Sequence, residues 1–421
     1  MSLYLRGAPR HAAAPWAASL AVLVAAIGGT TALAEPAPSY DTLLEGSAQA
    51  PIAQEAAALA DAARARVRQA GARPNPTLSV DVENAYGDGP YRGFDSAETT
   101  WSLSQDLELW GRRQSRIGAA QAEAGAAGLR SDLSRLDAAG RLAISYGEAE
   151  AAQRRYDLAR EALDLTVADA RAALKLVEEG REPLVRGLQG ESEAAAARAT
   201  LDEARAERDA AFARLTAQAQ LPTLVTSISA SLLDQAPPPR TNAPDRLPEV
   251  QIADAERLAA ERRIALARSL GRPNVTASIG FRQYRAEDAT ALTFGLAVPL
   301  PLFDRNRGNV DAAQAEYRAA DARLTGARLQ AEADRRAATA RLDASGSRVA
   351  AADLGVKSAE EAYRLTRIGF ESGRISQLEL RAARAALINA RTAAIDARLA
   401  RVRAEVDLAR LQGRAPFEGT Q

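Results

Sequence analysis

The sequence lacks cysteine entirely and has one histidine and one methionine among 421 residues. These are His11 and Met1, which both lie in an amino-terminal segment that we predict to be removed. The rest of the chain therefore has no imidazole base, thiol nucleophile, disulfide or soft metal ligand. We expect a protein that is not an enzyme, with no catalytic residue, no cofactor and no resident metal.

An excess of charge of either sign is also missing. The sequence contains 54 basic and 54 acidic side chains, and no basic patch stands out along it. Nucleic-acid binding depends on such a patch, so we expect no nucleic-acid partner. Beyond residue 34 the sequence has no apolar run of 18 residues, and it therefore predicts no transmembrane helix.

The first 34 residues have the pattern of a secretory signal peptide. Arg6 and Arg10 give a basic start, residues 17–27 form an apolar run, and Ala32-Leu33-Ala34 is a small-residue cleavage site. The run is shorter than the roughly 20 residues of a membrane helix. A buried amino-terminal helix is the alternative. The pattern predicts export, and no cysteine follows the cleavage site to carry a lipid.

The remaining chain contains an internal duplication. Three motifs occur twice in the same order, at offsets of 199, 193 and 193 residues: Arg-Pro-Asn at 73 and 272, Ala-Ala-Gln-Ala-Glu at 119 and 312, and Gly-Arg at 180 and 373. Such regular repetition indicates a duplicated architecture. We interpret residues 35–421 as one protomer of two repeats, about 48–220 and 246–413, joined by the proline-rich linker 221–245.

Each repeat is predicted to have the same order of elements. A first helix (about 48–72 and 246–271) is followed by two alternating segments, a very long helix (112–179 and 307–371) and a final helix (183–220 and 376–413). The second long helix and the last helix carry apolar residues at steps of seven, which is typical of coiled coils: Leu342, Val349, Val356, Tyr363 and Phe370, then Ile388, Ile395 and Val402. A plain coiled-coil protein also explains the heptads, but it leaves the alternating segments unexplained.

The alternating segments predict four β-strands, each with one apolar and one polar face. Their apolar residues are Leu78, Val80 and Val82; Trp101, Leu103, Leu107 and Leu109; Val275, Ala277, Ile279 and Phe281; and Leu292, Phe294, Leu296 and Val298. A soluble β-sandwich is the alternative, but nothing in the pattern covers the apolar face. Membrane strands of about 9–11 residues fit better. Four strands cannot close a barrel, so several chains must share one.

The whole of residues 35–421 resembles the TolC-like outer-membrane channels of bacterial tripartite efflux and secretion systems. Residues 104–113 (SQDLELWGRR) and 299–308 (PLPLFDRNRG) are similar to the strand-to-helix junctions of the CzcC-like heavy-metal branch. The resemblance implies a mainly α fold with β-hairpins, in which a homotrimer forms a 12-stranded transmembrane β-barrel. That barrel continues into a long periplasmic coiled-coil α-barrel, with an equatorial region formed by residues 221–245 and the carboxy-terminal tail.

The resemblance also implies a function and partners. Channels of this family are passive exit ducts in the outer membrane, in contact with its lipid. A periplasmic adaptor protein joins the channel to an inner-membrane efflux pump, here of the RND type. The substrate stays open at this point: heavy-metal cations, organic drugs, or a protein exported by type I secretion. A structural periplasmic coiled-coil protein is a more remote alternative, and an enzyme more remote still.

Two sets of residues are the candidate functional sites. The short breaks between long and final helices are predicted to be helical-hairpin turns, and the resemblance implies that such turns contact the adaptor: Gly180, Arg181 and Glu182, then Gly373, Arg374, Ile375 and Ser376. The resemblance also places Glu379 at an acidic ring that narrows the periplasmic entrance. Ala382 occupies the second acidic position of that ring, so the constriction is expected to be weaker. The alternative for Glu379 is a solvated residue paired with Arg381 or Arg384.

Overall fold

The computed structural model describes residues 35–181, 183–238 and 247–417. The predicted signal peptide, Glu182 and residues 239–245 of the predicted linker lie outside the described residues. The chain contains these elements in order: β1 (Glu35–Ala37), α1 (Tyr40–Gly46), α2 (Pro51–Gly71), β2 (Thr77–Glu83), β3 (Glu98–Leu107), α3 (Arg112–Glu178), α4 (Leu184–Gln218), β4 (Val225–Ile228), α5 (Pro248–Leu270), β5 (Val275–Tyr284), β6 (Ala289–Ala297), α6 (Arg307–Glu371) and α7 (Gln377–Gln412).

The predicted helices of both repeats are confirmed, with ends that differ by three residues or fewer. The strands are also confirmed, but two predicted positions fall outside them. Leu109 follows the end of β3, where its N–H bonds to the carbonyl of Leu107 in a tight turn. Val298 follows the end of β6 and precedes Pro299, which has no N–H to continue the ladder.

The long helices α3 and α6 are each about 100 Å long at 1.5 Å per residue. The amino-terminal end of α4 meets the last turns of α3, where Gly190 lies against Ala170. The carboxy-terminal end of α2 meets the first turn of α3, where Arg113 bonds to the carbonyl of Gly71. The two shorter helices of the first repeat therefore cover successive lengths of the long one.

Small side chains form most of the seam along α6. The buried positions at steps of seven are Ala313 and Ala320, then Leu324, Ala331, Ala338 and Ser345. The large heptad residues predicted from the sequence contribute less, although Val349, Ile395 and Val402 are buried. Because alanine allows backbones to approach closely, this seam lets α5 and α7 pack tightly against α6.

The hairpins of the two repeats join into one antiparallel sheet of order β2-β3-β5-β6. The central contact is between β3 and β5, with Trp101 opposite Phe281 and Leu103 opposite Ile279. The rings of Trp101 and Phe281 stack, with their centroids 6.4 Å apart. Each half of the chain therefore contributes two strands to a single four-stranded sheet.

The largest core lies midway along the helices. Leu215, Leu232 and Leu233 are fully buried there, and Glu150 accepts hydrogen bonds from the N–H groups of Leu232 and Leu233 at 2.8 and 3.0 Å. A short parallel pairing of β1 with β4 borders this core. The described part of the predicted equatorial region 221–245 and the carboxy-terminal tail lie here as expected, together with β1 and α1, which no sequence pattern predicted. Among the described residues, no helix is both long and apolar enough to cross a membrane.

Candidate functional site

The four-stranded sheet has one strongly apolar face. Two rows cross all four strands on this face: Leu78, Leu103, Ile279 and Phe294, then Val80, Trp101, Phe281 and Leu292. Every one of these side chains is exposed in the single chain, from 41% for Trp101 to 76% for Phe294. An apolar face of this size needs a non-aqueous surrounding or a partner.

The opposite face carries every charged side chain of the four strands. These are the carboxylates Asp81, Glu83, Glu98 and Asp106 and the guanidinium of Arg282. Glu83 lies directly opposite Glu98, an arrangement that is repulsive by itself. Arg282 relieves the repulsion, since it contacts Glu83 at 3.2 Å and Glu98 at 3.0 Å. The face is left with an excess of negative charge.

The sheet is open at both sides. Within the described residues, β2 pairs only with β3, and β6 pairs only with β5. The outer edges of β2 and β6 therefore present unpaired N–H and carbonyl groups, which are stable in lipid only when another strand pairs with them.

The opposite end of the molecule contains the first predicted tip turn, between α3 and α4. Gly180 has a φ of 70°, the left-handed conformation that favours glycine. The N–H of Arg181 bonds to the carbonyl of Leu176 at 2.9 Å, which closes a Schellman-type end to α3. The Arg181 side chain is exposed and lies 3.6 Å from Glu179.

The second tip turn, between α6 and α7, has the same geometry. Gly373 has a φ of 73°, and the N–H of Arg374 bonds to the carbonyl of Gly369 at 2.9 Å. Ile375 packs so closely on Gly369 that a Cβ there would lie 2.5 Å from its Cδ1. Arg374 is exposed. The structure therefore places the predicted tip residues that it describes on two matching, solvent-facing turns.

Glu379 forms a capping box with Ser376 at the start of α7. The Ser376 N–H donates to the Glu379 carboxylate at 2.8 Å, and Ser376 Oγ lies 2.8 Å from the same oxygen. Ser376 Oγ in turn accepts from the Glu379 N–H at 3.3 Å. These hydrogen bonds stabilise the ionised form and lower the pKa of Glu379 below its usual value. The side chain is exposed, as is that of Ala382 one turn later.

The pairing of Glu379 with Arg381 or Arg384 is wrong, because these arginines have other partners, whereas the exposed side chain agrees with the alternative of a solvated helix residue. Arg381 contacts Glu193 of α4 at 2.6 Å. Arg384 is 7% exposed and forms ion pairs with Asp169 of α3 and with Glu193. This four-residue cluster was not predicted, because its members are distant in sequence and no motif marks them.

The described residues contain no group of three or more histidine, cysteine, aspartate or glutamate side chains that could hold a metal ion. Three carboxylates of the sheet have other partners instead: Asp106 accepts a hydrogen bond from Thr276, and Glu83 and Glu98 contact Arg282. The arrangement is therefore suited to electrostatic attraction along a surface and not to tight coordination.

Comparison with known proteins identifies relatives across nearly all of the described chain. The model of the outer membrane efflux protein family matches residues 47–219 and 241–414. The nickel-cobalt-cadmium resistance protein NccC of Alcaligenes xylosoxydans xylosoxydans is 38% identical over 319 residues, which are 75% of this chain and 72% of NccC. The cobalt-zinc-cadmium resistance protein CzcC of Cupriavidus metallidurans is 29% identical over 374 residues, or 84% of each chain.

Solved structures are similar in the same region. A crystal structure of CusC aligns with a TM-score of 0.77 at 18% identity, and the alignment covers 89% of this chain and 92% of that one. At this identity the likeness concerns the fold. It confirms the predicted fold class of long coiled-coil helices attached to a β-sheet.

Proposed function

This chain belongs to the outer membrane efflux protein family, and we propose that it is the outer-membrane exit channel of a tripartite efflux system for heavy-metal cations. The family consists of efflux proteins and not of enzymes. The observation that carries the proposal is the division of the sheet into two faces. Exposed apolar side chains fit lipid on one face, and all charged side chains fit a water-filled lumen on the other.

The proposed assembly is a homotrimer with one 12-stranded barrel. The open edges of β2 and β6 support it, because each edge then pairs with the neighbouring protomer and no edge meets lipid. The length of the strands is also suitable. Ten residues of β5 extend about 33 Å, and a tilt of about 40° reduces this to the roughly 25 Å of an apolar membrane band.

Metal cations are the proposed substrates for two reasons. The relatives NccC and CzcC are named as resistance proteins for divalent metals. In a trimer, the lumen face of the sheet would also carry twelve carboxylates and three guanidinium groups, which concentrates cations. Passage requires weak attraction, and the described residues offer no metal-binding cluster. Selection of the metal is therefore assigned to the pump and the adaptor.

The proposed partners meet the opposite end of the protomer. Residues 35–421 form one protomer of two repeats, and the two exposed tip turns at Gly180-Arg181 and Gly373-Arg374 offer paired sites for the helical hairpins of a periplasmic adaptor. An inner-membrane pump of the RND type supplies the energy. Glu379, just after the second turn, is proposed to narrow the entrance while its carboxylate also caps α7.

Reconstitution tests this proposal directly. The purified protein in detergent should be a trimer by mass analysis and should form cation-preferring pores in planar bilayers. Titration calorimetry with zinc should show no binding tighter than the micromolar range. A stable water-soluble monomer without conductance would exclude the channel, and tight zinc binding would exclude a purely passive duct.

A further inference from the structure

All four strands connect to the helices at one end of the sheet. Thr77 at the start of β2 lies beside the end of β3, and Val275 at the start of β5 pairs with Leu107 at the end of β3. Four short segments leave the sheet at this end: residues 72–76, 108–111, 271–274 and 298–306. They form a continuous boundary between strands and helices.

This boundary is rich in arginine. The four segments and the first turns of α3 and α6 contain six arginines and two carboxylates: Arg73, Arg112, Arg113, Arg272, Arg305 and Arg307, with Glu108 and Asp304. Arg116 in the second turn of α3 already neutralises Glu108. The loops at the far end of the sheet, residues 84–97 and 285–288, have the reverse balance, with four carboxylates and two arginines. The two ends of the sheet therefore differ in the sign of their charge.

Most of these guanidinium groups have no acidic partner. Among the residues that the structure describes, Arg73 and Arg307 are exposed and form neither an ion pair nor a side-chain hydrogen bond. Arg112 also forms neither, although its positive charge attracts the Glu108 carboxylate. Arg113 and Arg272 donate only to the backbone carbonyls of Gly71 and Trp110, at 2.7 and 3.3 Å. The charge of the boundary is therefore not balanced within the chain.

Large apolar side chains are exposed at the same level. Phe303 is 98% exposed and Trp110 is 57% exposed. Trp110 has a φ of 61° in the turn before α3, and Arg272 holds its carbonyl. The exposed Leu300 and Leu302 continue this apolar surface from the end of β6, and Leu107 continues it from the end of β3. The boundary therefore combines aromatic rings with guanidinium groups at the rim of the apolar face.

We propose that the junction collar, defined as Arg73, Arg112, Arg305, Arg307, Trp110 and Phe303, binds the headgroups of anionic phospholipids in the adjacent leaflet. This inference rests on the proposed position of the sheet in the outer membrane. Each arginine near an anionic leaflet favours binding to that leaflet about fivefold. Guanidinium groups also match the geometry of the lipid phosphate. Aromatic side chains favour the same interfacial level. Free phosphate would gain nothing from contact with the exposed aromatic rings, whereas a phospholipid contacts both the rings and the guanidinium groups. We therefore assign the collar to lipid.

Fluorescence quenching tests the junction collar in the intact protein. A Trp101→Phe background leaves Trp110 as the single tryptophan of residues 35–421. The trimer is reconstituted in phosphatidylcholine vesicles that contain a minor fraction of phosphatidylglycerol. In one sample the phosphatidylglycerol carries brominated chains, and in the other an equal amount of the phosphatidylcholine does. Brominated phosphatidylglycerol should quench Trp110 at least about twofold more than brominated phosphatidylcholine, because the collar enriches the acidic lipid around it.

The variant that tests the charge is Arg73→Gln/Arg112→Gln/Arg307→Gln, since among the described residues these three side chains form no ion pair or side-chain hydrogen bond that the change would break. It should lower the quenching ratio toward one, with Arg305 as the remaining arginine of the collar. The matched control is Arg328→Gln/Arg341→Gln/Arg348→Gln, which changes three exposed arginines of α6 about 30 Å or more from the collar. This control should leave the ratio unchanged, as should inorganic phosphate compared with chloride at equal ionic strength.

The outcomes separate this inference from the proposed function. Quenching of Trp110 by both lipids equally would overturn the lipid preference but leave the membrane position intact. Absence of quenching by either lipid would overturn both. Loss of the ratio on addition of phosphate would show that the collar binds phosphate from any source, and it would overturn the assignment to lipid.

Discussion

Arg384 of α7 forms an ion pair with Asp169 of α3, a residue 215 positions earlier in the chain. The pair connects the two repeats close to the tip, and Glu193 of α4 joins it through Arg384 at 3.4 Å. Burial raises the pKa of Asp169 although the arginine opposes this shift. The Arg384 side chain therefore links the three helices α3, α4 and α7.

Arg384→Ala should destabilise the tip. The change leaves the half-buried Asp169 carboxylate without its nearest cation, which costs about 1–3 kcal/mol. We expect faster hydrogen exchange over residues 377–390 and a lower thermal midpoint of the trimer. Arg336→Ala is the control, because its partner Glu332 is exposed on the same helix. Equal losses of stability in the two variants would show that the Arg384–Asp169 pair stabilises the protein no more than an ion pair within one helix does.

Glu379→Gln should reduce cation preference in bilayer recordings without loss of stability. Glutamine retains the ability to cap α7 but removes the negative charge. Ser376→Ala is the complementary variant, because it weakens the cap by about 1 kcal/mol and keeps the carboxylate. At neutral pH, ion selectivity should change in Glu379→Gln and should stay the same in Ser376→Ala. If selectivity changes in Ser376→Ala alone, Glu379 acts as a cap and not as part of the entrance.

Cation preference should persist at unusually low pH. Because the hydrogen bonds from Ser376 lower the pKa of Glu379, the side chain stays ionised as the pH falls through the ordinary glutamate value of 4.5. The stabilising cap is likewise present above that value and is lost only as the pH falls through the lowered pKa. Reversal potentials measured against pH should therefore shift to higher pH in Ser376→Ala. Coincident profiles for the two proteins would contradict this.

Charge reversal at both tip turns should abolish efflux in cells. The exposed Arg181 and Arg374 are proposed to face the adaptor, so Arg181→Glu/Arg374→Glu removes complementarity at both turns of each protomer. Trimer formation and pore conductance should be unchanged, since neither side chain is buried. The control Arg318→Glu/Arg341→Glu alters two exposed arginines of α6 away from the tip. Normal metal resistance in cells with the tip variant would leave these turns a structural role only.

Alanine substitutions at two kinds of glycine should have opposite effects on stability. Gly180 has a φ of 70° and open space around the position of a Cβ, so Gly180→Ala is strained by its backbone alone and should cost about 1 kcal/mol. Gly346 lies inside α6 with equally open space, and Gly346→Ala should stabilise by up to about 1 kcal/mol. Thermal unfolding of the trimer compares the two. A shift in the same direction for both would contradict the assigned backbone roles.

The sequence by itself determined the six longer helices and the four strands of the large sheet, and their order. The period of two in residues 78–82 and the steps of seven in α6 are local patterns, and each follows from the geometry of a single strand or helix. Gly180 and Gly373 mark the turns because the left-handed conformation is a property of one residue. The capping box was not predicted, although Ser376 and Glu379 have the spacing that the motif requires.

Only the tertiary structure decided which of these elements and side chains meet. Alternation gives a strand two faces but does not say that β3 pairs with β5, and the short β1 has too few residues for any pattern. Alanine occurs at both buried and exposed positions, so the seam of α6 could not be distinguished by composition. Arginine is abundant on every helix, and Arg384 selects Asp169 among many carboxylates only because packing brings α3 and α7 together at that level.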